Sequence, residues 1–104
     1  MEVVLQRIID HITYLTEPSE IVLYGSYASG RQRNNSDIDL LVVTDKLHNR
    51  HLLTKEVADF ISRIGYRSDV IFMSKSEVER ALQNEKHFLC NALKNAQKIY
   101  EKGS

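Results

Sequence analysis

The chain has 104 residues, with 14 Lys+Arg against 14 Asp+Glu. That length leads us to expect one domain, 1–104, without a separate substrate domain. A hydrophobic fraction of 42% with 27% charged residues is an ordinary globular balance that excludes a disordered chain, and zero net charge excludes a nucleic-acid binder working through a broad basic surface.

The longest uncharged apolar runs are about five residues, far short of the roughly 20 that span a membrane. Met1 to Asp10 carries Glu2 and Arg7 and lacks a signal-peptide layout. The single cysteine, Cys90, cannot form an internal disulfide, so a reducing, cytoplasmic setting is expected.

Val4, Leu5, Ile8, Ile9, Ile12 and Leu15 recur at three- and four-residue spacing and predict a first amphipathic helix, stopped before Pro18. Ile21 to Tyr24 is a short apolar run bounded by Pro18 and Gly25, and reads as a buried strand. Gly25 to Ser36 is polar and reads as a loop with room for one helical turn. Ile38 to Val43 is the strongest strand. Leu53, Val57, Phe60, Ile61 and Ile64 form a helical stripe that Gly65 is placed to end. Asp69 to Met73 reads as a third strand. From Ser76 to about Tyr100 the chain reads as helical, with Ser76 and Glu79 at capping-box spacing and Asn84 as an interruption. The order α-β-loop-β-α-β-α defines an α/β domain with a small sheet.

Most polar landmarks read as scaffold. His48 and His51 lie three apart, but no ligand cluster accompanies them, so they read as exposed polar residues. Cys90, in Phe88-Leu89-Cys90, reads as a small buried hydrophobe. His11 and His87 are isolated. The five tyrosines are scattered, unlike a nucleic-acid stacking platform.

One stretch reads differently. A strand runs into Gly25-Ser26, residues 27 to 36 intervene, and Asp37-Ile38-Asp39 then opens the most apolar strand. Residues i and i+2 of a strand share a face, so Asp37 and Asp39 project together, about 6–7 Å apart at Cβ. Both can reach one cation or flank a pair. Oxygen-only ligands imply a hard ion, and Mg²⁺ fits best because it pairs a few carboxylates with substrate phosphates. Either aspartate alone would read as a loop or strand-edge residue. Two beside a buried strand are costly unless a cation offsets them.

Gly25 ends a strand where backbone must approach closely or take positive φ, and Ser26 adds a hydroxyl and an amide. A helical turn from Ser26 to Gly30 would offer free N–H groups to an anion, with Gly30 closing it and Arg31 and Arg33 following. Gly25 and Gly30 have Walker A spacing, but Arg31 and Gln32 stand where that motif needs Lys and Ser/Thr. Asp69, at the start of the third strand, is a third carboxylate able to ligate an ion or orient an attacking hydroxyl.

Through Gly25-Ser26, the ten-residue spacer, Asp37-Ile38-Asp39 and the later Asp69, the chain resembles the minimal nucleotidyltransferases of the DNA polymerase β superfamily. The resemblance takes in the leading helix and reads Asn84 to Glu101 as the family's final helix. It implies a mixed-sheet nucleotidyltransferase fold, with two Mg²⁺ ions on Asp37 and Asp39 and Asp69 completing the site. It implies that Gly25 and Ser26 hold the β- and γ-phosphates of a nucleoside triphosphate, while an acceptor hydroxyl attacks the α-phosphorus and pyrophosphate leaves. Short members commonly act as antitoxins of helical HEPN proteins, and some transfer AMP from ATP to the partner's tyrosines. The chain departs from many relatives in carrying Tyr27-Ala28-Ser29 where they place an arginine; Arg31 and Arg33 are the cations near enough in sequence to compensate. Two other functions fit the same residues: neutralisation of a partner by contact alone, and transfer to a small molecule or a nucleic-acid end. The expected partners are therefore a nucleoside triphosphate and a HEPN-type protein, with no membrane and no dedicated nucleic-acid surface.

Overall fold

Five of the six residues of β2 (Ile38–Val43) are buried, and only Asp39 is not. A strand apolar on both sides must be covered on both faces. Ile38, Leu40 and Val42 enter one apolar cluster, while Leu41 and Val43 enter another. The computed structural model describes residues 1–103, and Ser104 lies outside them.

β1 (Glu20–Tyr24) pairs antiparallel with β2, and β3 (Ser68–Met73) pairs parallel along its other side. β4 (Gln97–Glu101) closes the four-stranded order β3-β2-β1-β4, antiparallel to β1. The sheet is mixed, as expected of this α/β class.

A parallel pair needs a crossover. Here it is α3 (Arg50–Arg63), which packs beside α1 (Glu2–Leu15) on one face. Ile8 and Ile12 of α1 and Val57 and Ile61 of α3 are all 0% exposed and meet Phe72, Leu40 and Val42 there. Truncating a side chain such as Phe72 in this core costs about 3–5 kcal/mol, so this layer dominates stability.

The other face has a lighter cover. α4 (Lys75–Gln83), α5 (Phe88–Ala92) and a 3-10 turn (Leu93–Asn95) bring Ala81 and Leu89 onto Val22, Tyr24, Leu41 and Val43. This cover leaves Asp39 half-buried and Asp69 exposed at the strand ends. Among the described residues, no helix is long and apolar enough to cross a membrane.

The helical segment expected from Ser76 to about Tyr100 with an interruption at Asn84 forms only in part: the interruption is present, but the last stretch is not helical. The chain breaks at Asn84, resumes as α5, and then becomes β4. The sheet explains the switch: β1 has a free edge, and Ile99 and Tyr100 gain burial against the main core by pairing there. The expected family-type final helix is thus replaced by a strand over its last third. The capping box also sits two residues earlier than expected. Ser74 accepts from the Glu77 N–H at 3.1 Å, and the Glu77 carboxylate accepts from the Ser74 N–H at 2.8 Å. Ser76 lies inside the first turn instead. Cys90 is half-buried, and its thiol lies 3.3 Å from the Asn84 carbonyl. His48 and His51 are exposed, as expected.

Candidate active site

β1 passes directly into α2 (Gly25–Ser29), so the helical turn expected after the strand is present, one residue early. The switch from extended to helical backbone happens at Gly25, whose φ is +75°. A side chain there would be strained in backbone and would strike the Asp39 carboxylate, with Asp39 Cγ only 3.1 Å from the Cβ position. Gly25 is therefore glycine for two reasons, φ and close approach. Gly30 caps α2 in the left-handed conformation, and its N–H and that of Arg31 both donate to the Ser26 carbonyl.

Register then brings two of the acids, Asp39 and Asp69, together. Tyr24 is paired with Asp39 across β1–β2, and Asp39 with Asp69 across β2–β3. Alternation puts Asp39 on the same side as Leu41 and Val43, the lightly covered face. Burial pushes the Asp39 carboxyl above the usual range, and Asp69 and then Asp37 push it further. The Tyr24 phenol is also raised, first by burial and then by Asp69 and Asp39. Its hydroxyl is buried with no hydrogen-bond partner among the described residues.

Asp37 behaves differently. Its carboxylate lies 3.3 Å from the Arg67 guanidinium, whose side chain is 73% exposed. Such an exposed pair is worth well under about 1 kcal/mol and yields readily. Among the described residues, no three His, Cys, Asp or Glu side chains gather tightly enough to hold one ion in common. Asp39 and Asp69 face one another, and Asp37 is turned to Arg67. The donor set nonetheless suits a hard divalent cation: a partly buried carboxylate repelled by two others is relieved by positive charge, and all the donors are oxygens.

Beside Asp39 lies a cleft of about 300 Å³ between α2 and the α5–turn segment. Gly25, Ser29 and Arg31 line one wall, and Asn91 and Asn95 the other. Arg31 and Arg33 are exposed and pair with no carboxylate among the described residues; Arg31 reaches the cleft. The Gln97 side chain donates to the Ala28 carbonyl at 2.7 Å and ties the β4 end of the segment to α2. A roomier cleft, about 430 Å³, lies at the far end of the sheet among Glu20, Lys75, Glu101 and Lys102, away from these carboxylates.

Sequence reasoning missed Tyr24, Arg67, Asn91 and Asn95. Tyr24 and Arg67 each sit within two residues of an expected site residue, which was the available signal. The two asparagines join the site only through the fold of the closing segment.

The fold and this site together define a domain of nucleotidyltransferase type. The polymerase β nucleotidyltransferase family model matches residues 6–104, and the chain belongs to that family. A Methanocaldococcus jannaschii protein named putative protein adenylyltransferase is 31% identical over 87 residues, covering 79% of this chain and 58% of that protein. The chain therefore spans less than two-thirds of that relative's length. A solved toxin–antitoxin with AMP-PNP matches with a TM-score of 0.62 and 24% identity, over 93% of this chain and 73% of that one. A structure of the tri-AMPylated Shewanella oneidensis HEPN toxin in complex with MNT antitoxin matches with a TM-score of 0.53 and 20% identity, over 92% of this chain and 71% of that one. Both structural likenesses show the shared fold.

Proposed function

We propose that the chain is a Mg²⁺-dependent nucleotidyltransferase that moves AMP from ATP to a hydroxyl acceptor. The observation that carries this reading is the packing of Gly25 against the Asp39 carboxylate, with Asp69 as the register partner of Asp39. That packing sets the start of the α2 turn against a pair of carboxylates that a bound cation would relieve, which supports the reading.

Asp37, Asp39 and Asp69 are the residues that would hold Mg²⁺, two ions in the family pattern. When bound, the ions supply charge neutralisation on the phosphates. Gly25, Ser26, Gly30 and Arg31 form the phosphate side: backbone amides of the turn orient the polyphosphate, and Arg31 adds positive charge. Asp69, the most exposed of the three acids, would take the acceptor's proton. The acceptor oxygen bonds to the α-phosphorus, the bond to the bridging oxygen breaks, and pyrophosphate leaves with its electron pair. The acceptor is proposed to be a tyrosine of a HEPN-type partner, with the chain acting as its antitoxin in the cytoplasm. The adenylyltransferase name of the M. jannaschii relative and the tri-AMPylated HEPN complex support that choice.

A second reading, neutralisation of the partner by contact alone, is favoured by one observation: Asp37 is paired with Arg67, and the three acids do not converge. The test is to incubate the chain with Mg²⁺, α-labelled ATP and a HEPN partner. Label on the partner that disappears with Asp37→Ala or Asp39→Ala supports transfer. Full neutralisation by both variants supports contact instead.

A further inference from the structure

The cleft between α2 and the closing segment has an uneven charge. Among the described residues, Asp39 is the one carboxylate that lines it. Beyond Asp39 the polar side chains are the buried Tyr24 phenol, the Ser29 hydroxyl, which donates to the Ser26 carbonyl at 3.3 Å, the Arg31 guanidinium and the carboxamides of Asn91 and Asn95. Every one of these can donate a hydrogen bond, and Arg31 and the asparagines bring five and two N–H donors each.

Asn91 and Asn95 lie four residues apart on consecutive helical turns, and so share a side. Leu89, Ala92, Leu93 and Ala96 anchor that segment to the sheet. The Gln97 bond to Ala28 holds it at a fixed distance from α2. The two carboxamides make no hydrogen bond to other described residues, although both line the cleft. Both residues are exposed, so their carboxamides are free to turn their N–H groups toward an anion in the cleft.

A cleft lined by one carboxylate and several hydrogen-bond donors suits a polyanion that carries its own cation. The nucleoside part of a donor has little to hold it here, since the single aromatic ring in the lining, Tyr24, is only 6% exposed. We propose that Asn91 and Asn95 bind the terminal phosphates of the donor triphosphate, opposite Arg31, and so act as specificity-determining residues for triphosphate over monophosphate. The proposal rests on the nucleotidyltransferase reading above, and it extends the phosphate side to a wall that Gly25, Ser26, Gly30 and Arg31 do not supply.

The test is equilibrium binding, with Mg²⁺, of ATP, AMP and inorganic tripolyphosphate to the wild-type chain and to Asn91→Asp and Asn95→Asp. These variants keep side-chain size and replace donors with a negative charge. Each should weaken ATP and tripolyphosphate roughly tenfold or more, as expected for hydrogen bonds to charged groups, and leave AMP within about twofold. Asn91→Ala with Asn95→Ala, checked for an unchanged melting temperature, should show a smaller loss in the same order. Equal weakening of ATP and AMP would assign the asparagines to the nucleoside and overturn the proposal. ATP binding unchanged in all variants would overturn it too, while leaving the nucleotidyltransferase reading intact. Absence of ATP and tripolyphosphate binding by the wild-type chain would sink both.

Discussion

Asp39 and Asp69 stand opposite one another as register partners in the parallel β2–β3 pair, on the face that α4 and α5 leave partly open. Neither has a basic partner among the described residues. A fold selected for stability alone would not keep two carboxylates in that relation. Asp39→Asn should therefore stabilise the metal-free chain by about 0.5–1 kcal/mol, as removal of like-charge cross-strand repulsion does. The rise in melting temperature should be roughly 2–6 °C for a domain of this size. Thermal denaturation in EDTA checks it; a fall would mean that the Asp39 carboxylate makes a net favourable contact.

The raised Asp39 carboxyl gives a pH dependence with a definite sign. Its folded-state value lies above the unfolded one, so its contribution to stability is present below the unfolded value and is lost as pH rises through the folded one. Cation binding needs the ionised form and runs the other way. Mn²⁺ or Mg²⁺ affinity should climb with pH through a transition above the ordinary aspartate value of about 3.9, and binding there should release protons. Titration calorimetry in buffers of different ionisation enthalpy measures that release. A transition at or below the ordinary value would contradict the account.

Gly25→Ala tests the contact between turn and carboxylate. A Cβ at φ +75° is strained, and it also meets the Asp39 carboxylate. The expected cost is on the order of 1–3 kcal/mol of stability, with a larger loss of Mg²⁺-dependent ATP binding than the stability change alone explains. Gly30→Ala meets nothing within 4 Å and should cost only the positive-φ strain, about 1 kcal/mol. Equal effects of the two substitutions on ATP binding would remove the special role of Gly25.

Gln97 links the strand that sequence periodicity failed to show with the helix that carries the Gly-Ser turn. Gln97→Ala should cost about 1 kcal/mol of stability through the lost bond to Ala28. It should raise the KM for ATP more than it lowers kcat, because the α2 wall loses its brace. A change in kcat with unaltered KM would argue against that bracing role.

Local pattern made much of this molecule legible. The stripes Ile8-Ile12 and Val57-Ile61 have helical spacing because one side of each helix faces a single sheet, and β2 is apolar throughout because both its faces are covered. Asp37 and Asp39 were visible because two charges at the mouth of such a strand violate the pattern. The closing segment was not legible. Leu89, Ala92, Leu93 and Ala96 have helical spacing, but Ile99 and Tyr100 serve the edge of β1, a partner almost 80 residues away in sequence. No local rule reports a free sheet edge. The same blindness hid Asn91 and Asn95, which line the cleft beside α2 in a segment whose strand end is tied to Ala28 by Gln97.

Mg²⁺-dependent ATP binding by the wild-type chain and by the double variant Asp37→Ala, Asp39→Ala tests the central claim most directly. Calorimetry should find binding in the wild-type chain that requires Mg²⁺ and is absent in the double variant, with both proteins folded by circular dichroism. Binding that keeps its Mg²⁺ dependence and affinity after loss of both carboxylates would contradict the assignment of the metal site to this face.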